Sequence, residues 1–92
     1  MVNIVTIKEL EKILKVLANK RRLAIVALLK KGDKKTVGEV ADEIKLSFAA
    51  TSRNLRILAA VDLVDCEQVA AEVHYFLSRE LSTVVRDIIK YL

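Results

Sequence analysis

The sequence predicts a mainly α fold carrying one small β-hairpin, on three observations. From Thr6 to Val61, apolar residues recur at helical spacing behind side chains suited to cap a helix. From Leu63 to Leu77 the pattern turns strand-like, and from Leu81 to Leu92 a helical stripe returns. The expected order is four helices, a two-stranded hairpin and a terminal helix.

Each element has its own signature. Thr6 followed by Glu9 is a capping-box pair, and Ile7, Leu10, Ile13, Leu14 and Leu17 then form one helical face. Asn19 can cap a second helix from Lys20 to Lys31, apolar almost all round between Leu23 and Leu29, with Gly32 as its stop. Thr36 and Glu39 make another capping box, opening a short helix through Ile44 with Val37, Val40, Ala41 and Ile44 on one side. Ser47 caps the next helix, Phe48 to Val61, which at a period of 3.6 buries Thr51, Leu55 and Leu58 and leaves Ala49, Ala50, Arg53 and Arg56 outside. Two strands follow, Leu63 to Gln68 and Val73 to Leu77, with a turn near Val69 to Ala71. Ser78 is expected to start the last helix, with Leu81, Val84, Val85, Ile88, Ile89 and Leu92 on one stripe.

Composition bounds the function. Ninety-two residues make one small domain, and 30% charged with 53% hydrophobic residues excludes a disordered chain. The longest apolar run, Leu23 to Leu29, is far too short to cross a bilayer, and the opening Met1 to Glu9 lacks the pattern of an export leader, so a cytoplasmic place is expected. Cys66 has no second cysteine to pair with, and Cys66 with His74 cannot complete a four-ligand zinc site, so neither metal nor cofactor is expected. On alternating strands His74 should be a surface residue and Cys66 a packed or half-exposed thiol. No nucleophile stands with histidine and acid at motif spacing and no glycine-rich phosphate loop exists, which leaves catalysis unsupported. A net charge of +4 favours a polyanionic partner.

The predicted order, with its third and fourth helices joined by a tight turn, is that of a winged helix-turn-helix. Four stretches in register from about Leu17 to Ser78 resemble the ArsR-like family of bacterial and archaeal transcriptional repressors. They are Leu17 to Ile25, Val37 to Ala41, Ser47 to Leu58, and the wing pieces Leu63-Val64 and Tyr75 to Ser78. Within one domain over residues 1–92 the helix-turn-helix is expected at about 37–61 and the wing at about 63–77, while the first and last helices, whose apolar stripes exceed what so small a core can cover, are expected to be dimerisation helices at about 6–17 and 79–92. Departures from the family pattern are Asn54, where a histidine is usual, and Asp62, where a glycine is usual. Ala49 and Ala50 stand where short polar residues are usual, and Ala70, Ala71 and Glu72 replace a glycine-arginine wing tip. The cysteines, or the histidines and acids, with which metal-sensing members bind their ions are missing.

These features imply sequence-specific binding to double-stranded DNA by a homodimer that regulates transcription from a palindromic site. The helix from Ser47 enters the major groove. Ser47 and its neighbouring amides hold a phosphate, Ala49, Ala50 and Ser52 face the groove, and Arg53 and Asn54 reach base edges. Arg56, Lys45, Lys34 and Lys35 contact the backbone. Charge is uneven: residues 1–56 hold thirteen basic and six acidic side chains, a net of +7, whereas residues 57–78 hold Asp62, Asp65, Glu67 and Glu72 and no Lys or Arg, a net of −4. Since duplex affinity rests on neutralised phosphates, an acidic wing points to weak or one-sided binding. Three alanine pairs, Ala49-Ala50, Ala59-Ala60 and Ala70-Ala71, are expected to be exposed; they read either as chance or as deliberate substitutions that flatten the DNA-facing surface or create a new packing surface with Phe48 and Phe76. The alternative function is therefore a protein-interaction or engineered self-assembly module on the same scaffold, with weakened DNA binding.

Overall fold

The computed structural model describes residues 5–92; the opening in which no export leader is expected begins with residues 1–4, which lie outside them. The elements run α1 (Ile7–Leu17), α2 (Lys20–Leu29), β1 (Lys35–Thr36), α3 (Val37–Ile44), α4 (Phe48–Ala60), β2 (Val64–Val69), β3 (Glu72–Leu77) and α5 (Thr83–Ile89). Among the described residues, no helix is long and apolar enough to cross a membrane.

The caps fall where the short polar residues stand, because each supplies a side-chain oxygen to an otherwise unpaired helix N–H. Thr6 accepts from the Glu9 amide, Asn19 from the Arg21 and Arg22 amides, and Ser47 from the Ala50 amide. At α3 the box is reciprocal: Thr36 Oγ1 accepts from the Glu39 amide at 3.2 Å, and the Glu39 carboxylate accepts from the Thr36 amide at 2.8 Å. At α1 it is not, since the Glu9 carboxylate accepts from the Thr6 hydroxyl instead. Residues Lys45, Asp62 and Ala70 adopt positive φ, at 56°, 58° and 55°. Lys45 ends α3 in the left-handed conformation, turning the chain into α4 within three residues.

Five expectations are corrected. The sheet has three strands, in the order β1-β3-β2, because Lys35 and Thr36 pair antiparallel with Tyr75 and His74. The second helix closes at Leu29 rather than Lys31, where Gly32, at φ 96°, returns its amide to the Leu29 carbonyl. The last helix begins at Thr83, not Ser78. The Ser78 amide is still donating to the Leu63 carbonyl beside the sheet, buried Leu81 anchors the connection, and Ser82 takes the cap. Finally, the thiol of Cys66 is exposed. His74 is half-buried rather than a surface residue, with Nε2 3.7 Å from Glu72 Oε1.

The core gathers one face from each helix: Leu17 of α1, Ile25, Val26 and Leu29 of α2, Val40 of α3, Leu55 and Leu58 of α4, and Val85 and Ile89 of α5. Leu63 and Val64 bring the wing's base into it. Each such aliphatic side chain contributes about 1.5–3 kcal/mol by leaving water, so α4 is held along its whole inner side. Only its outer side is free to meet a partner.

Candidate nucleic-acid interface

The face of α4 is set by helical geometry. Thr51, Leu55 and Leu58 point inward at 0% exposure, so Ala49, Ser52, Arg53 and Arg56, at spacings of three and four, form the outward stripe. Ser47, Ala49, Arg53 and Arg56 are exposed, and Ala50 and Ser52 are half-buried. Phe48 stands at the start of this stripe with 64% of its surface exposed. Of the alanine pairs expected outside, Ala59 packs against the core and Ala50 is half-covered, while Ala70 and Ala71 are the two loop residues between β2 and β3.

Asn54 is not on this stripe. It is 4% exposed, and its side chain is fully engaged: Nδ2 donates to the Ala50 carbonyl at 2.9 Å, and Oδ1 accepts from Arg22 Nη1 at 3.2 Å. Arg22 also donates from Nε to the Val16 carbonyl at 2.6 Å. This network joins the end of α1, the first turn of α2 and the middle of α4. A buried amide bonded through both its nitrogen and its oxygen fixes packing and lies away from the surface that a base would meet.

The cations divide into paired and free. Lys34 Nζ lies 2.7 Å from Glu67 Oε1 and 5.2 Å from the Phe76 ring centre, where Arg79 approaches at the same distance. The ammonium group of Lys34 beside it holds the Glu67 carboxyl below the usual carboxylate range. Lys35 Nζ lies 2.9 Å from Glu43 Oε2, and that hydrogen bond raises its own proton affinity. Of the three lysines named for phosphate contact, Lys34 and Lys35 thus already face a carboxylate. Arg53, Arg56 and Lys45 have no ion-pair partner among the described residues. Tyr75, in the wing strand β3, has its phenol proton held more tightly through burial, an effect that Arg56 nearby partly offsets.

Sequence reasoning passed over the residues beside the helix-turn-helix. A groove of about 510 Å³ runs between the first turn of α2 and the α3–α4 turn, lined by Lys20 and Arg21 on one side and Lys45 and Leu46 on the other. The signal available in the sequence was the run Lys20-Arg21-Arg22, but nothing in it says that Arg22 folds inward onto Asn54 while its two neighbours stay in solvent.

Residues 17–67 match the family described as helix-turn-helix domain. No curated protein matches the sequence. Among solved structures the chain is similar to HlyU from Vibrio cholerae N16961, at 34% identity over 91% of this chain and 87% of that one, with a TM-score of 0.79. It is similar to NolR from Sinorhizobium fredii at 27% identity over 98% and 92% of the two chains, with a TM-score of 0.79. A third likeness is to the homodimeric winged helix-turn-helix DNA-binding domain of a possible ArsR-family transcriptional regulator from Mycobacterium bovis, at 25% identity over 91% and 77% and a TM-score of 0.80. The matched segment covers both helices of the turn and more than half of the sequence, and the likeness to solved structures extends over 91% of the chain: the chain belongs to the helix-turn-helix domain family, among the ArsR-like winged helix-turn-helix regulators.

Proposed function

We propose that this protein regulates transcription as a homodimer that reads double-stranded DNA with α4 in the major groove. The observation that carries the reading is the outward stripe Ala49, Ser52, Arg53 and Arg56 on a helix whose other side is locked into the core. A helix fits the major groove, an arginine can donate to O6 and N7 of one guanine, and Ser47 with the free amides behind it suits a phosphate. Arg53 takes the base-reading role; Arg56 and Lys45 take backbone phosphates.

The dimer is supported by apolar surface that this chain leaves uncovered. Along α1, Ile7 is 90% exposed and Leu14 44%, and with Leu10 and Ala18 they line an apolar groove. Near the other end of the chain Val84 and Tyr91 are also exposed. The related Mycobacterium bovis domain is homodimeric. A two-fold pairing through α1 and the C-terminal helix would set two α4 helices about 34 Å apart, one turn of duplex, and so select a palindromic site in cytoplasmic DNA.

Fluorescence anisotropy with a mixed-sequence duplex at low salt tests the DNA reading. Binding in the micromolar range that weakens linearly on a log–log salt plot is expected, and no binding up to about 100 µM would overturn it. Sequences selected from a random pool by the bound protein should then be palindromic.

A further inference from the structure

We infer that the protein grips the DNA backbone on the side of α4 next to α2, through Lys20, Arg21 and Lys45, and not through the wing. This rests on the DNA reading above and adds to it which phosphates are held. Three observations carry it. Lys20, Arg21 and Lys45 are exposed, line one open groove of about 510 Å³, and share it with no carboxylate. None of the three has an ion-pair partner among the described residues. The groove also borders the reading helix: Lys45 and Leu46 lead directly into the Ser47 cap of α4, and the bond from Arg22 Nη1 to Asn54 Oδ1 draws the first turn of α2 against that helix.

The opposite flank of α4 presents the reverse picture. Lys34 is occupied by Glu67 and Lys35 by Glu43, and the strands add Asp65 and Glu72 around a loop of two alanines. A phosphate approaching the wing would have to displace carboxylates already bonded to those lysines, or face them unscreened. A phosphate approaching the groove meets cations that only water now solvates. Releasing condensed counterions is the main source of sequence-independent duplex affinity, and it scales with the number of phosphates neutralised. The −4 net charge of residues 57–78 and the cationic groove therefore produce a lopsided footprint, extended past the start of α4 and short at the wing.

The test compares salt dependence. Anisotropy of a labelled mixed-sequence duplex is measured against KCl concentration for the unaltered protein, Lys20→Gln/Arg21→Gln, Lys34→Gln/Lys35→Gln and the conservative Lys20→Arg/Arg21→Lys. The slope of log K against log salt should become shallower by about 2 in the first variant, at about 0.9 for each phosphate no longer neutralised, and return in the conservative one. The Lys34/Lys35 variant should change it by less than half as much. Circular dichroism melting shows whether each variant folds; since none of the four side chains lies in the core, melting temperatures should stay together. If the unaltered protein binds while the Lys20/Arg21 variant keeps its slope, or if both glutamine variants lose slope equally, the lopsided grip is overturned and the DNA reading stands. If the unaltered protein does not bind duplex at any salt, the DNA reading falls and this inference with it.

Discussion

Arg53 and Asn54 are neighbours separated by about 100° of helix, and that rotation carries one into solvent and the other into the core. Their replacements should therefore fail in different ways. Arg53→Ala should leave the melting temperature unchanged and cost about 1–3 kcal/mol of binding at a selected site, with discrimination relaxed at one base position; titrations against site variants would show it. Asn54→Ala removes the acceptor that Arg22 uses and should lower the unfolding free energy by about 1–3 kcal/mol in urea denaturation. Glu39 carries a pH signature. Its backbone hydrogen bond from Thr36 holds its carboxyl below the usual range, so its contribution to stability is present above the unfolded-state pKa and is lost as pH falls through the folded one. Urea midpoints measured from neutral pH down into the acid range should fall less steeply for Glu39→Gln than for the unaltered protein.

At the scale of elements, what was legible followed from local chemistry. The four N-caps of α1 to α4 could be named because Thr6, Asn19, Thr36 and Ser47 act on amides only two or three residues away. The inner face of α4 was equally readable, since Thr51, Leu55 and Leu58 obey one period. What escaped depends on distant partners. Two residues, Lys35 and Thr36, show no alternation of their own and become a strand only because β3 offers them its free edge. Asn54 looks like any polar helix residue until Arg22, thirty-two positions away, is placed against it. The start of α5 moved from Ser78 to Ser82 because Leu63 claims the Ser78 amide. The β2–β3 loop supplies a test at this scale. Ala70 sits at φ 55°, a conformation that costs a Cβ-bearing residue about 1 kcal/mol and glycine almost nothing. Ala70→Gly should raise the melting temperature by a few degrees, a net gain trimmed by the greater freedom of glycine in the unfolded chain; a lowered value would show that the loop does not hold this conformation.

For the whole molecule, the exposed apolar surface of α1 gives the first expectation. Sedimentation should show a dimer, and Leu14→Glu should convert it to a folded monomer by placing a charge in the pairing face. That monomer should also bind duplex more weakly and lose its preference for paired half-sites, because each half would then be read alone. A second property of the whole follows from Thr36, which holds two posts at once: it pairs with His74 as the last residue of β1 and caps α3 with its hydroxyl and amide. Beside the core packing of Leu63 and Val64 and the Lys35–Glu43 pair, Thr36 thus joins the wing to the helix-turn-helix, and neither can tilt without straining the cap or the strand pair. They should ride over the DNA as one stiff lever, so amide exchange in β3 and in the first turn of α3 should slow or quicken together when Thr36 is altered.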